Sequence, residues 1–386
     1  MKPVERVRIF DTTLRDGEQG AGASMSKEDK VAIAQLLEAM GVDVIEAGFP
    51  AASEGAAATV TAIAAACTRA QVCALARGTY ADIDAAVRSL RPAGERARIH
   101  VFIATDKEHM AKKLRLDPAT VLDRIATYVA YAKRFIDDIE FSPEVATTSD
   151  VAFLLKSIDV AVAAGATIVN IPDTTGYALP HEYGALIRTV VDHLAYAPQV
   201  LVSAHCHDDR GLATANTLEG VRNGARQVEC PVNGIGERAG NTSLEEVVMA
   251  FTLRPEVYGV VHGIDTTHLC TVSALVARAS RLPVPQHKAF VGISAFAHES
   301  GIHQDGVLKD PRLYEICAPE LVGAVRRLPL SKLSGKAGLA ATLVRLGYVP
   351  TEPTLDLAYQ QCMAYADVHQ ALPDDVVHRI VHALTG

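Results

Sequence analysis

Two histidines separated by a single residue are the clearest chemical feature of this 386-residue sequence. They form the segment His205-Cys206-His207, which directly follows the apolar run Val200–Ala204. In an extended chain, residues i and i+2 point to the same side, so both imidazoles face one way and Cys206 faces the other. We interpret Cys206 as a packed residue, because a buried free cysteine behaves as a small apolar group. Two neutral imidazoles together with the carboxylate of Asp16 would form a divalent-metal site.

Other polar residues lie where further apolar runs end. If those runs are strands of one barrel, residues just past their carboxyl ends converge on a shared site. So many polar groups at one end of a barrel are not explained by core packing, and they indicate an active site. The residues are Arg15, Asp16, Glu46, Arg77, His100, Glu144, Thr174, His205, His207, Glu237 and Asn241.

Two glycine-containing segments add further candidates. Gly234–Asn241 holds three glycines, and after an eighth barrel strand it would lie where phosphate-bearing ligands often bind. Ala297–Gly306 holds two histidines and two acidic residues. We interpret it as part of a long loop region, Lys288–Asp310, that acts as a lid or supplies catalytic groups. An ordinary surface loop is the alternative.

The elements that must position these residues alternate between strand and helix. Eight short runs rich in Val and Ile predict strands buried on both faces. Between them, Ser26 with Asp29 predicts a capped helix that ends at Gly41, and Asp117-Pro118 begins another helix. Eight such units favour a closed parallel (β/α)8 TIM barrel over an open doubly wound sheet, which would usually carry a phosphate loop after its first strand. The predicted strands are Val7–Phe10, Val44–Gly48, Val72–Ala76, Ile99–Ile103, Ile139–Ser142, Ile168–Ile171, Val200–Ala204 and Val228–Val232.

A mainly helical accessory region is predicted after the barrel. We expect the barrel to span residues 1–260 and the accessory and lid part to span residues 261–386. A helix is expected at Thr266–Ser280, and the tail shows helical spacing through Leu355, Tyr359 and Cys362 and again over Asp374–Leu384. This tail is expected to pack on the accessory helices.

Charge and composition exclude several classes of protein. The net charge is −8, the pI is near 6.0, and no long run of like charges occurs, so we expect no nucleic-acid or membrane partner. The short basic stretch Lys112, Lys113, Arg115 is interpreted as a solvated face. No signal segment and no apolar stretch of about 18 residues is present, which favours a cytoplasmic protein. Seven widely spaced cysteines without a Cys-x-x-Cys pair fit a reducing compartment.

Six motifs in order resemble the Claisen-condensing acyltransferases of the 2-isopropylmalate synthase and homocitrate synthase family. They are DTTLRDGEQ at 11–19, EAGFPA at 46–51, NIPDTTGY at 170–177, HCHDDRGLATAN at 205–216, NGIGERAGN at 233–241 and AFAHESGIHQDGVLKD at 295–310. The 2-isopropylmalate synthase branch is most similar, mainly through GFPA and the last of these motifs. The resemblance implies a metal-dependent TIM barrel that condenses acetyl-CoA with a 2-oxo acid, 2-oxoisovalerate by preference, in leucine biosynthesis. It also implies a homodimer, in which the accessory segment reaches into the partner's barrel.

The resemblance carries roles to matching positions. Asp16, His205 and His207 would hold a divalent metal (Zn, Mn or Mg), with Asn241 as a nearby oxygen donor. Arg15 would stabilise the oxygen that becomes an alkoxide, and Thr174 would hold the carboxylate of the 2-oxo acid. His303 paired with Glu237 would remove a proton from the acetyl-CoA methyl group. The remaining candidates are the catalytic residues Glu144 and Tyr314 and the substrate-binding residues Leu75, His100 and Asn170.

Several departures from the family pattern leave other activities open. Leu333 stands in Ser-Lys-Leu-Ser-Gly where the family has a histidine, Val145 follows Glu144 in place of an acid, and Asp208 replaces an asparagine. The chain also ends near where a C-terminal leucine-sensing domain would begin, so we expect no inhibition by leucine. Alternatives are a homocitrate synthase, a citramalate synthase or another alkylmalate synthase, an aldolase- or lyase-like relative and, from a different class, a non-catalytic barrel scaffold.

Overall fold

The computed structural model describes residues 5–385 and confirms the predicted barrel. Eight parallel strands, β2 to β9, close in chain order, and β9 pairs back onto β2. A separate pair of short parallel strands is formed by β1 and β10. The strands are Glu5–Arg6 (β1), Arg8–Asp11 (β2), Val44–Glu46 (β3), Gln71–Arg77 (β4), Ala97–Ala104 (β5), Asp138–Glu144 (β6), Ile168–Asp173 (β7), Leu201–Cys206 (β8), Gln227–Cys230 (β9) and Val260–Val261 (β10).

The helices between the strands follow local capping signals. Ser26 accepts a hydrogen bond from the Asp29 amide at 3.1 Å, and Asp117 accepts one from the Thr120 amide at 3.0 Å, so both predicted N-termini are confirmed. Up to residue 280 the helices are Lys27–Ala39 (α1), Glu54–Ala66 (α2), Tyr80–Leu90 (α3), Pro118–Lys133 (α4), Val151–Ala163 (α5), Pro180–His193 (α6), Ala213–Arg222 (α7), Leu244–Leu253 (α8), Pro255–Tyr258 (α9) and Leu269–Ser280 (α10).

The eighth barrel strand is shorter than the sequence indicates. The expected run Val228–Val232 ends as a strand at Cys230, and Val232–Gly234 forms a helical turn. Pro231 has no N–H to donate to a ladder, so it ends the strand there.

The chain divides into two compact units, the first ending at Val284 and the second beginning at Pro285. The boundary between the two units therefore falls after α10, later than residue 260. The division into a catalytic part, 1–260, and an accessory part, 261–386, remains a prediction. α10 belongs with the barrel because Asn233 donates to the Ser273 carbonyl at 3.0 Å. A hydrogen bond of this kind fixes the helix against the turn that follows β9.

The second unit has its own small apolar core. Its helices are Gly301–Lys309 (α11), Lys336–Arg345 (α12), Glu352–His369 (α13) and Asp374–Thr385 (α14). The tail helices α13 and α14 pack on α12, as expected, and share with it a cluster of buried apolar side chains. The cluster comprises Leu330, Leu339, Leu343, Ala358, Cys362, Leu372, Val376, Val377 and Val381.

The prediction of a long loop at Lys288–Asp310 is wrong for its last third, which is helical. Residues Gly301–Lys309 form α11, with Gln304 and Val307 buried. The two glycines that suggested a loop serve close packing instead. A Cβ at Gly306 would lie 2.4 Å from Cε2 of Tyr314, and one at Gly301 would lie 2.6 Å from the Gly335 amide. His303 is therefore carried by a helix, and its direction is fixed by helical geometry.

Two bulk expectations are tested by the described chain. Within residues 5–385, none of the helices is both long and apolar enough to cross a membrane. All seven cysteines are free thiols, and five of them are buried: Cys67, Cys73, Cys206, Cys230 and Cys362. Cys206 is fully buried, which confirms that it packs rather than faces the site.

Candidate active site

The predicted metal ligands meet where β2 and β8 end. Asp16 Oδ2 lies 3.5 Å from Nε2 of His205 and 3.8 Å from Nε2 of His207. All three residues are buried, and one potential ligand atom from each lies within 4.8 Å of the others. Since β8 is extended, both imidazoles leave it on the same side, as the sequence predicts. One divalent ion could contact all three side chains.

Unpartnered polar atoms support a cation at this position. Oδ1 of Asp16 and the side-chain amide atoms of Asn241 are buried, and they have no hydrogen-bond partner among the residues that the structure describes. Buried polar groups are nearly always satisfied, and a cation would satisfy the oxygens. A Cβ at Gly236 would lie 2.5 Å from Oδ1 of Asn241, so the glycine leaves room for that amide. The residues present therefore fit a divalent metal.

The electrostatics keep all three ligands in the metal-binding form. Burial disfavours the carboxylate of Asp16, but Arg15, His205 and His207 together outweigh burial and hold the Asp16 pKa well below its usual range. Burial and the neighbouring positive groups lower the pKa of His205 and of His207 to about 4. Both imidazoles are thus neutral at pH 7, as a metal ligand must be.

Arg15 joins the metal site to a second polar cluster. Its guanidinium donates to Asp16 at 2.8 Å and to Glu46 at 2.6 Å. Glu46 also pairs with Nδ1 of His100 at 2.9 Å. Burial disfavours the imidazolium, but the bond to Glu46 and the charges of the surrounding glutamates together outweigh burial and raise the pKa of His100. Arg15 and His100 therefore share one buried carboxylate.

A cavity of about 300 Å³ opens beside these groups. All five predicted substrate-binding residues line it: Arg15, Leu75, His100, Asn170 and Thr174. Pro172, from the motif at 170–177, lines it as well, and so does Phe102, which no sequence motif selects. Phe102 shares a face of β5 with His100, a signal that becomes readable once the strand's orientation is known.

Arg77 does not join the site, so its inclusion among the converging residues is wrong. Its side chain is 58% exposed and pairs with Asp82 at 2.7 Å. Asp82 lies in the first turn of α3 and also accepts from the Arg77 amide at 3.1 Å. Because Arg77 pairs with Asp82, its guanidinium does not line the cavity.

Glu144 is held at the cavity by a lysine that the sequence analysis assigned to a solvated face. Nζ of Lys113 lies 2.7 and 2.8 Å from the two Glu144 oxygens. The next residue, Val145, has φ +64°, a strained conformation for a β-branched side chain. Its amide donates to Thr174 Oγ1 at 3.0 Å. This bond ties Glu144 to Thr174 and leaves the threonine O–H to be donated.

Glu237 and Arg238 follow β9 and line the same cavity. Arg238 donates to both carboxylate oxygens of Asp209 at 2.7 Å, and its Nη2 lies 3.2 Å from Nδ1 of His207. The guanidinium adds to the positive field that lowers the pKa of His207. Glu237 is exposed, so its carboxylate is accessible.

His303 and Tyr314 lie together in the second unit. Their rings stack with centroids 4.2 Å apart. Nearby, His298 contacts Glu315 at 3.1 Å, and Glu315 also binds Arg326 at 2.7 Å. Leu333, at the departure from the family pattern, is 65% exposed. The pairing of His303 with Glu237 remains a prediction.

The chain is similar to known proteins over nearly its whole length. Residues 6–276 match the HMGL-like family model, and residues 290–370 match the model described as homocitrate synthase post-HMGL domain-like. The chain is 50% identical to the 2-isopropylmalate synthase of Nitrosospira multiformis over 375 residues, which are 97% of this chain and 73% of that protein. It belongs to the 2-isopropylmalate synthase family.

Other members of the family agree with this placement. The 2-isopropylmalate synthase of Carboxydothermus hydrogenoformans is 49% identical over 96% of this chain and 73% of its own length. Among solved structures, an HMG-CoA lyase from Pseudomonas aeruginosa aligns with a TM-score of 0.60 at 21% identity over 72% of this chain and 94% of that one. An HMG-CoA lyase from Brucella melitensis aligns with a TM-score of 0.59 at 21% identity, over 72% and 99%. At this identity the lyases support the TIM-barrel fold alone.

Proposed function

We propose that this protein condenses acetyl-CoA with 2-oxoisovalerate and hydrolyses the thioester to give 2-isopropylmalate. The observation that carries the proposal is a buried set of residues, Asp16, His205 and His207. With Arg15 beside them, they line a cavity of about 300 Å³. Family membership supports acetyl-CoA and a 2-oxo acid as the substrates. The size and the lining residues of the cavity then indicate which 2-oxo acid fits.

The cavity favours a short apolar side chain on the 2-oxo acid. Leu75, Phe102 and Pro172 provide an apolar lining. The guanidinium groups that line the cavity are already paired, Arg15 with Asp16 and Glu46, and Arg238 with Asp209. His100 is likewise bonded to Glu46. The distal carboxylate of 2-oxoglutarate would enter without a free counter-charge, and an unpaired buried charge is strongly disfavoured. A homocitrate synthase is therefore the weaker candidate.

The residues divide the chemistry between binding and proton transfer. A divalent metal held by Asp16, His205 and His207, with Asn241 nearby, would act as a Lewis acid toward the keto group. Thr174 donates its hydroxyl proton to the substrate carboxylate, and Asn170 lines the same wall. Arg15 offsets negative charge that develops on the keto oxygen during carbon–carbon bond formation.

We propose that His303, paired with Glu237, takes the proton from the acetyl methyl group. A carboxylate-oriented histidine is suited to this work near neutral pH. Tyr314, stacked on His303, and Glu144, held by Lys113, complete the catalytic set. We further propose that the protein acts as a homodimer in the cytoplasm, and light scattering of the purified protein will test the oligomeric state.

A thiol-release assay tests the proposed function. Acetyl-CoA is mixed with 2-oxoisovalerate, pyruvate, 2-oxobutanoate or 2-oxoglutarate, and the product is identified by mass spectrometry. We expect the highest kcat/KM with 2-oxoisovalerate and none of this turnover in His207→Ala, which serves as the background control. A higher kcat/KM with 2-oxoglutarate would overturn the substrate assignment. Absence of turnover with every 2-oxo acid would overturn the condensing activity.

A further inference from the structure

A buried glutamate from the neighbouring strand holds one of the metal ligands. β8 and β9 pair in parallel with His205 opposite Glu229. Nδ1 of His205 lies 2.8 Å from Oε2 of Glu229. Glu229 is 1% exposed, and nothing in the sequence motifs singles it out. The register of β8 and β9 therefore places this contact inside the barrel.

The contact decides which nitrogen of His205 is free to bind a metal. A metal on Nε2 of His205 requires the proton of the neutral imidazole to be on Nδ1, and Oε2 of Glu229 is placed to accept the hydrogen bond from that proton. The lone pair then remains on Nε2, the atom that lies 3.5 Å from Asp16 Oδ2. The backbone amide of His205 is fixed as well, because it donates to Tyr183 Oη at 3.2 Å. These contacts orient the ring of His205 with Nε2 toward Asp16.

We propose that Glu229 is a positioning residue for the metal site, acting through the tautomer and ring orientation of His205. The inference rests on the proposed metal-dependent function. Carboxylate partners of metal-bound histidines typically change metal affinity by about 10- to 100-fold when they are removed. We expect a loss of that size for Glu229→Gln, which keeps the shape of the side chain and removes its charge.

The barrel interior supplies a matched control. Glu140 lies close enough to Glu229 for each carboxyl group to affect the pKa of the other, and it is fully buried like Glu229. It accepts from Arg98 at 3.1 Å and from Gln227 at 2.8 Å. Glu140→Gln is the same isosteric change in the same region of the barrel, but at a residue that is hydrogen-bonded to Arg98 and Gln227 and not to His205. Its hydrogen-bond partners Arg98 and Gln227 are not metal ligands. Glu140→Gln should therefore leave the metal affinity of the site formed by Asp16, His205 and His207 within about threefold of the native value.

The experiment measures metal binding without turnover. Full-length native protein, Glu229→Gln and Glu140→Gln are stripped with chelator and titrated with Zn²⁺ against a competing chromophoric chelator. Co²⁺ is then added to each, and the visible d–d spectrum reports the ligand geometry. Melting temperatures of the metal-free proteins show whether each variant is folded. If Glu229→Gln does not fold, Glu229→Asp replaces it, because the shorter side chain keeps the charge but withdraws the oxygen from Nδ1.

The outcomes separate the role of Glu229 from the metal dependence itself. Zn²⁺ affinity that falls at least about tenfold in the Glu229 variant, with a changed Co²⁺ spectrum and a native-like affinity in Glu140→Gln, supports the role of Glu229. Unchanged affinity and spectrum in the Glu229 variant would overturn it, as would an equal loss in both variants. Failure of the native protein itself to bind either metal would instead refute the proposed metal-dependent function.

Discussion

Replacing Glu140 by glutamine should shift the stability difference from the native protein in the variant's favour as the pH rises from 5 to 7. Burial, with a further contribution from the charge of Glu229, raises the pKa of Glu140 from 4.5 to about 8. The folded protein therefore holds Glu140 as a neutral acid at pH 7. Both oxygens of Glu140 accept hydrogen bonds, one from Arg98 and one from Gln227. A glutamine amide has a single acceptor oxygen, so Glu140→Gln loses one of these bonds, at a cost that does not change between pH 5 and pH 7.

The pH dependence has a definite sign. In the unfolded chain Glu140 ionises near 4.5, while in the folded protein it keeps its proton up to about 8. Between these values the folded state binds one more proton than the unfolded state, so stability falls as pH rises. The slope is about 1.4 kcal/mol per pH unit for one proton, which gives about 3 kcal/mol between pH 5 and pH 7. Glu140→Gln has no such proton, so the difference in stability between the two proteins should move in the variant's favour by about 3 kcal/mol over the same pH range.

Urea unfolding of both proteins at pH 5, 6 and 7 measures this difference. EDTA in every sample removes any contribution from bound metal. Because the chain has two compact units, the barrel transition is followed by a probe in that unit, and midpoints are compared at equal slope. A stability difference that stays constant with pH, or that favours the native protein more as pH rises, would show that Glu140 is ionised in the folded state.

Three further predictions concern the site. His207→Ala should purify with much less bound metal than the native protein, measured by mass spectrometry of the metals, and chelation should abolish native turnover; full activity in metal-free protein would contradict the metal site. His303→Ala should lower kcat by about 10²- to 10⁴-fold, as expected for a lost acid–base group, with an unchanged melting temperature, and a fully active variant would exclude the proposed role. Arg77→Ala should leave kcat/KM for 2-oxoisovalerate within about twofold of native, because the guanidinium binds Asp82 and not the cavity; a large rise in KM would show that Arg77 reaches the substrate.

The barrel architecture and the convergence of the candidate metal ligands could be predicted from the amino-acid sequence alone. Eight Val- and Ile-rich runs separated by amphipathic helices leave a closed parallel barrel as the natural solution, because each strand needs both faces covered. The i, i+2 spacing of His205 and His207 on an extended strand fixes their common direction without any tertiary information. Asp16 follows the first barrel strand, and barrel closure alone brings it to the same end.

What each charged side chain does depends on the packing of the folded chain. Arg77 and Arg15 both follow barrel strands, yet the first is captured by Asp82 while the second bridges Asp16 and Glu46. Glu229 lies inside a strand and becomes significant only because register places it opposite His205. Gly301 and Gly306 suggested a loop in the sequence, but in the structure they allow α11 to pack closely against Gly335 and Tyr314. Strand and helix periods are local properties of the chain, whereas the partner of a charge, the pKa it acquires and the space around a glycine depend on residues distant in sequence, which only the folded packing brings together.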